Sequence, residues 1–184
     1  AVGPAAVATA ERVGYVCGRD LIGAVCLGAD LGIRLGLATN PKPVHARAIA
    51  LGPFAAAAAC GKILGLDETG LHNALGIAFC RSTVAGNSTA APSLTKRLGV
   101  GFASQSGVVA ALLAAAGFPA IGEVFQGAAG FFQTFYQREG DYDTLLDQLG
   151  SRFEIVVVGP KPFPSCRYTH CAVTGCLDLL RKHS

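Results

Sequence analysis

The chain has 184 residues, 51% of them hydrophobic, and a formal net charge of only +3. No predicted helix carries a run of Lys and Arg interleaved with aromatic residues, so we expect no nucleic-acid partner. We also expect no membrane partner, because polar residues, glycine or proline interrupt each apolar run before the roughly 18 residues that a span needs. The composition instead predicts a buried helical bundle that forms a homodimer through a large interface.

The first two predicted helices run from Pro4 to Val16 and from Asp20 to Leu37, with Asp20 as the N-cap of the second. On the second helix, Asp30 and Arg34 have the i, i+4 spacing of a surface ion pair. That helix also has a small residue at every fourth position, which lets a neighbouring helix approach closely. These small residues are Ala24, Gly28, Gly32 and Gly36.

The prolines at 41 and 43 break the helical pattern and precede a loop that carries His45. Pro53 is typical of a first helical turn, so we expect the third helix to begin there and to end near Leu64. Asp67 is the predicted N-cap of a fourth helix, on which His72 faces solvent.

Residues 81–92 form a polar stretch in an otherwise apolar chain, and we interpret them as a binding loop. The longest predicted helix follows, from Ser93 to Gly117, and we expect it to be buried throughout and to organise the bundle. Ser93 or Thr95 is its predicted N-cap. It carries a second stripe of small residues, Ala103, Gly107, Ala111 and Ala115.

Lys96 and Arg97 lie in the first turn of this long helix, where the helix dipole disfavours each cation by about 0.3–1 kcal/mol. Two interpretations stay open. The two side chains could extend into solvent, as cations at helix ends often do. They could instead combine with the free N–H groups of the first turn into a carboxylate or phosphate site.

The last part of the chain changes in character. Short helices are predicted within residues 121–135 and 141–149, and the β-branched stretch 153–158 predicts a strand. A helix is expected again from Ser165 onward. We therefore predict a mainly α fold, with an all-helical domain over residues 1–152 and the beginning of an α+β domain over residues 153–184.

The seven cysteines are an odd number and lie within alanine-rich helical patterns, which predicts reduced thiols in a cytoplasmic protein. Cys166, His170 and Cys176 could be imagined as a metal set. A second compact cysteine pair is missing from the sequence, so we expect no metal. The chain starts at Ala1 and stops within a helical pattern at Ser184, and we expect it to be a piece of a longer protein.

The segment Lys96-Arg97-Leu98, followed by Gln105-Ser106-Gly107, resembles the K-R-L-H-x-G-x-x-x-Q-S-G segment of the MmgE/PrpD family. Further segments resemble the family in the same order along the chain: 33–38, 52–59, 64–67, 73–78 and 161–170. The resemblance implies a helical-bundle domain followed by the beginning of a small α+β lid domain.

The family contains dehydratases, decarboxylases and epimerases of small di- and tricarboxylates that use no metal or organic cofactor. Removing a proton next to a carboxylate requires a base, an acid and cations that stabilise negative charge. The resemblance implies these roles for Lys96 and Lys161, and for His45 as a candidate base one residue away from the family's spacing. It implies substrate binding, partly by a closing lid, for Arg97, Cys166, Arg167 and His170.

Two departures from the family pattern bear on activity. Gly99 stands where the family has a histidine after K-R-L, and Cys166 stands where the cis-aconitate decarboxylase branch has a histidine. The second departure disfavours decarboxylation, so we expect a lyase of the dehydratase type acting on a small di- or tricarboxylate. Two alternatives stay open: a non-catalytic helical interaction or scaffold module, and an epimerase of the same family.

Overall fold

The computed structural model describes residues 1–39, 47–83 and 95–183, without the side chains of residues 47, 95 and 96. Eight α-helices and two 3-10 turns lie in these ranges, and no strand does, which confirms the mainly α fold class. The helices are α1 (Val2–Val13), α2 (Gly18–Ala38), α3 (Arg47–Ile63), α4 (Glu68–Cys80), α5 (Thr95–Ala115), α6 (Phe131–Tyr136), α7 (Tyr142–Leu146) and α8 (His170–His183). The 3-10 turns are Glu154–Val157 and Arg167–Thr169.

The alanine-rich helix α3 is the centre of the bundle. Its residues 49–61 are all buried, and α1, α2, α4 and α5 pack around it. A run of alanines gives α3 a narrow profile on every side, so several helices can approach it at once. The expectation that the helix starting at Ser93 organises the bundle is therefore wrong, and Ser93 itself lies outside the described residues.

The two stripes of small residues both pack against α3, except for Ala115 at the end of α5, which is exposed. A Cβ atom at Gly28 of α2 would collide with the carbonyl oxygen of Ala55. A Cβ atom at Gly107 of α5 would lie 2.7 Å from the backbone nitrogen of Ala57. The prediction that both helices belong to one closely packed bundle is confirmed, with α3 as the helix to which both are fitted.

Helix α5 is half buried, against the expectation of a fully buried helix. Leu98, Phe102 and Leu113 are 53%, 60% and 38% exposed on its outer face. The inner face, which includes Ala103, Gly107 and Ala111, is buried. An apolar sequence alone could not distinguish the two faces, because the polar residues that normally mark a solvent face are almost absent here.

Several predicted helix boundaries need correction. Helix α1 ends earlier than Val16, because Gly14 adopts a left-handed conformation with φ of 83°. Cys17, and not Asp20, is the N-cap of α2. Within 121–135 only the end is helical, from Phe131 onward.

Pro53 lies inside α3, so the prediction of a helix starting there is wrong. Asp67 is the N-cap of α4 as predicted, and its carboxylate accepts a hydrogen bond of 2.8 Å from the backbone N–H of Gly70. His72 is exposed as expected, and its Nε2 atom also lies 2.8 Å from the carbonyl oxygen of Gly122. Helix α4 therefore also positions the segment that follows α5.

Phenylalanine rings fill the space between α3, α4 and α6. The ring of Phe54 packs edge-on against that of Phe131, with 4.9 Å between the ring centroids. Phe54 also lies 5.1 Å from Phe125, centroid to centroid. Such aromatic pairs each stabilise a core by about 0.5–1.5 kcal/mol beyond their buried area.

Asp30 and Arg34 form a buried ion pair, not the surface pair that their spacing suggested. Arg34 also donates to the carbonyl oxygens of Leu145, Asp147 and Arg152 at 3.2, 2.7 and 2.6 Å. One guanidinium on α2 thus binds three carbonyl oxygens between the last turn of α7 and Arg152.

The same ion pair explains why the predicted strand 153–158 is absent. The segment forms the 3-10 turn Glu154–Val157, and the backbone N–H of Glu154 donates to the carboxylate of Asp30 at 2.5 Å. Among the described residues no strand lies beside it to pair with. Its β-branched residues therefore have no ladder to join, and the contacts with α2 set its conformation.

By length and composition alone, α2 and the 97–115 part of α5 are long and apolar enough to cross a membrane. The expectation that every apolar run is too short is therefore wrong for these two helices. Core helices of globular bundles meet the same criterion, and both helices pack against α3. The absence of a membrane partner stays a prediction.

Candidate functional site

The first turn of α5 carries two of the predicted site residues, Lys96 and Arg97. Arg97 is exposed, and the turn contains no acidic residue. The backbone of Lys96 belongs to the same turn, while its side chain lies outside the description. A helix start with free N–H groups and two cations is suited to an anion, which leaves both earlier interpretations of this turn in place.

Lys161 and His170 converge on one backbone carbonyl, that of Ser165. The Nζ atom of Lys161 donates to this oxygen at 3.1 Å, and the Nε2 atom of His170 lies 3.4 Å from it. His170 is 7% exposed, and its ring is nearly perpendicular to that of Phe163 with 5.4 Å between centroids. The structure therefore brings together two residues that the sequence assigned to one site.

Cys166 and Arg167 lie beside this pair and are both exposed. Cys166 precedes the 3-10 turn Arg167–Thr169, and its carbonyl oxygen accepts hydrogen bonds from the backbone and the hydroxyl group of Thr169, at 2.9 and 2.8 Å. The two side chains are accessible to a ligand, as a role in substrate binding requires.

The described residues do not bring all predicted site residues together. Helix α8 packs against the 3-10 turn before it, and neither makes an extensive contact with α5. His45, the candidate base, lies outside the described residues, as does most of the predicted binding loop 81–92. The relation between the start of α5 and the pair Lys161 and His170 therefore stays a prediction.

A cavity of about 310 Å³ lies between α3, the end of α4 and the middle of α5. Its polar lining consists of Arg81, Thr83, Gln105 and Ser106. The sequence places Arg81 and Thr83 in the predicted binding loop and Gln105-Ser106 in the resembling motif, but it does not assign the four side chains to one site. The presence of both segments in one cavity lining shows which sequence features could have pointed to this site.

A second cavity, of about 520 Å³, lies between the start of α1, α2 and α3. Its lining is almost entirely apolar and includes Ile33, Leu37, Leu51 and Ile155. Such a surface offers few groups for chemistry, and its shape and polarity suit packing against another apolar surface.

All seven cysteines are free thiols. Within the described ranges, no group of three or more His, Cys, Asp or Glu side chains has the arrangement of a metal site. Cys166, His170 and Cys176 accordingly do not form such a group. Whether the protein works without a metal or cofactor stays a prediction.

Comparisons with known proteins agree with this architecture. The family model of the MmgE/PrpD N-terminal domain matches residues 1–142. The chain is 30% identical over 194 aligned positions to a cis-aconitate decarboxylase of Aspergillus terreus, an alignment that covers 100% of this chain and 39% of that relative. It is 36% identical over 145 positions to a cis-aconitate decarboxylase-like protein of Aspergillus oryzae, covering 72% of this chain and 30% of the relative.

The chain thus spans less than two fifths of the length of these curated relatives. A family model that matches most of the chain, together with a relative aligned along all of it, establishes common descent. The helical bundle built around α3 is what that descent leads one to expect. The chain belongs to the MmgE/PrpD family.

Proposed function

We propose that this chain is part of a cofactor-independent lyase that acts on a small di- or tricarboxylate by removing a proton next to a carboxylate. Membership of the MmgE/PrpD family carries the proposal. The name of the relatives, cis-aconitate decarboxylase, supports a lyase acting on a small polycarboxylate. Because the chain covers only part of those relatives, the reaction belongs to the complete protein.

In the proposed site, residues from two parts of the chain have the binding and catalytic roles. Lys96 would bind a substrate carboxylate or the negative charge that develops in the transition state, assisted by Arg97 at the same helix start. Lys161 would supply a second cation. His45 is the candidate base that removes the proton.

The convergence of Lys161 and His170 on Ser165 supports a role for the second segment. Since both side chains contact one carbonyl oxygen, the two groups lie close together before any ligand arrives. Arg167 and Cys166 are exposed next to them and would contact the substrate when the two parts of the site close on it.

The reaction type is proposed as dehydration, with decarboxylation and epimerisation as competitors. Cys166 offers a thiol where the decarboxylase branch has an imidazole, which removes a group suited to proton transfer near pH 7. The names of the curated relatives favour decarboxylation instead. Product analysis distinguishes the three reactions directly.

A second candidate function, a non-catalytic helical interaction module, is favoured by one observation at Gly99. A Cβ atom added there would lie 2.5 Å from Cδ1 of Ile49. The position where the family has a histidine is thus filled by a neighbouring side chain. An imidazole at position 99 would require the end of the Ile49 side chain to move.

The experiment uses the protein made from the complete reading frame. It is incubated with cis-aconitate, citrate or 2-methylcitrate, and the products are identified by proton NMR. We expect turnover of one of these substrates, and a loss of at least about 100-fold in kcat/KM for Lys96→Ala and His45→Ala. Lys62→Ala is the matched control, because Lys62 is an exposed lysine in the last turn of α3. Absence of turnover with all three substrates, with the fold intact, contradicts lyase activity on them and leaves the epimerase and the interaction module as the alternatives.

We further propose a cytoplasmic homodimer with no nucleic-acid or membrane partner. The apolar outer face of α5 supports an interface, since Leu98 and Phe102 are more than half exposed. The small net charge and the lack of a predicted helix with a run of Lys and Arg interleaved with aromatic residues argue against nucleic acid.

A further inference from the structure

The cavity between α3, α4 and α5 combines one cation, several hydrogen-bonding groups and an apolar wall. Arg81 and Thr83 lie just after α4, and Gln105 and Ser106 lie on α5. Ile49, Pro53, Phe102 and Ala103 form the apolar part of the lining. Among the described residues that line it, none is acidic.

Ser106 is the least accessible polar group of this cavity. The residue is 6% exposed, and its hydroxyl group has no hydrogen-bond partner in the part of the chain that the structure describes. Serines inside helices commonly donate to the carbonyl four residues earlier, as Ser104 does to Val100 at 3.3 Å. A hydroxyl group in the cavity lining that makes no such bond within the described residues is available to a ligand there.

Arg81 supplies the charge. It follows the last residue of α4, and its guanidinium forms no ion pair or hydrogen bond with a described residue. By contrast, Arg34 and Arg152 are held by carboxylates at 2.7–2.8 Å. Within the part of the chain that the structure describes, the N–H donors of Arg81 are therefore available to an anion beside Ser106.

We propose that this cavity binds a carboxylate group on a short apolar stem. Arg81 pairs with the carboxylate, the hydroxyl groups of Ser106 and Thr83 donate to its oxygens, and Phe102 packs against the stem. A carboxylate suits the described lining better than a phosphate, because Arg81 is the one cation among the described lining residues and a dianion would lack a second counter-charge there.

This site goes beyond the proposed function, because its residues differ from those assigned to the lyase site. Phe102, the first residue of α5 in the lining, lies six residues after Lys96, so the cavity begins about 9 Å further along α5. Binding here and turnover at Lys96 can therefore be tested separately.

The experiment measures binding of butyrate, and of its neutral isostere butyramide, to the whole chain by ligand-detected NMR titration. We expect butyrate to bind and butyramide not to bind. Arg81→Gln should weaken butyrate binding by at least tenfold, and Ser106→Ala by about three- to tenfold. Arg12→Gln, at an exposed arginine in the last turn of α1, should change it by less than about twofold.

Circular dichroism tests whether each variant is folded. If Arg81→Gln does not fold, Ser106→Ala still tests the site. The proposal is overturned if both variants bind butyrate like the unchanged chain, or if butyramide binds equally well. It is also overturned if Lys96→Ala abolishes binding while Arg81→Gln does not, since the anion would then lie at the start of α5. Failure of the lyase assay leaves the expected butyrate result unchanged, so the two proposals can fail independently.

Discussion

The Nε atom of Arg34 donates to Oδ2 of Asp30 at 2.8 Å, and at most 4% of either side chain is exposed. The remaining nitrogens of Arg34 bind backbone carbonyls of the segment after α7, and Asp30 binds the backbone N–H of Glu154. The pair therefore joins the helical bundle to the chain that leads toward Lys161. Every polar atom of a buried pair like this must be satisfied, and here backbone groups complete the set.

We expect Arg34→Ala to lower the free energy of unfolding by about 3–5 kcal/mol, because it leaves Asp30 charged, buried and without its partner. Arg34→Lys should restore only part of this loss, since an ammonium group lacks the planar fork that reaches three carbonyls. Urea unfolding followed by circular dichroism measures both effects.

Arg12→Ala is the matched control for Arg34→Ala. Arg12 is exposed in the last turn of α1, so its loss should cost no more than about 0.5 kcal/mol. Equal unfolding midpoints for the two alanine variants would show that the buried pair contributes nothing to stability.

A second prediction concerns the close contact between α5 and α3. Gly107→Ala adds a Cβ atom within 2.7 Å of the backbone nitrogen of Ala57, which neither helix can avoid without moving apart. We expect a loss of about 1–3 kcal/mol in the free energy of unfolding.

Gly101 lies on the same helix, and a Cβ atom there would meet nothing within 4 Å. Gly101→Ala should therefore stabilise the chain by about 0.5–1 kcal/mol, through the lower chain entropy of alanine. If Gly107→Ala were as favourable as Gly101→Ala, the two helices would not be in close contact at this point.

Local patterns predicted local structure well. The N-cap role of Asp67 and the small stripes of α2 and α5 follow from spacing alone, and the structure confirms them. The central place of α3 does not follow from spacing, because an alanine-rich helix has no marked polar face. Its burial is decided by which helices surround it.

The segment 153–158 shows most clearly where local sequence patterns fail to predict the structure. Its β-branched residues favour a strand, but strand formation depends on a neighbouring strand, and the contacts that hold this segment come from α2, more than a hundred residues earlier. The i, i+4 spacing of Asp30 and Arg34 predicts an ion pair but carries no information on burial, so the sequence alone suggests a surface pair.

In the candidate site, too, contacts between residues close in the sequence could be predicted, and contacts between distant residues could not. Lys161 and His170 are nine residues apart, and their convergence on Ser165 could be anticipated from sequence proximity. Arg81 and Ser106 belong to different helical regions, and only the packing of α4 against α5 places them around one cavity.

A third prediction is that the protein is a homodimer. The outer face of α5 exposes Leu98 and Phe102, and Val156 and Val157 are each 77% exposed. Light scattering should give a mass of twice 18.7 kDa or more for this chain, and Leu98→Lys should shift it toward the monomer, because a buried ammonium group is costly. A monomer at high concentration that also binds no apolar dye would contradict this.

The last prediction concerns Cys60, which is buried in α3 beside Thr9 of α1, with 3.1 Å between the Thr9 hydroxyl oxygen and the thiol sulfur. Burial raises the pKa of the Cys60 thiol above its ordinary value of 9.0, and the hydrogen bond from Thr9 offsets part of that rise. We therefore expect iodoacetamide at pH 8.5 to alkylate Cys60 last, after the five exposed cysteines Cys17, Cys80, Cys166, Cys171 and Cys176, as read from peptide masses.

The same shift makes stability depend on pH. A raised pKa means that the folded chain keeps the Cys60 proton at a pH where the unfolded chain has already lost it. The resulting stabilisation is complete below pH 9.0 and is lost as the pH rises from there through the folded pKa. The urea midpoint of unfolding should thus fall less steeply between pH 8 and 11 for Cys60→Ala than for the unchanged chain. Thr9→Val removes the hydrogen bond that lowers the pKa of Cys60, so it should slow the alkylation of this thiol further. Equal alkylation rates for Cys60 and Cys17 would show that the thiol is not protected by its place between α1 and α3.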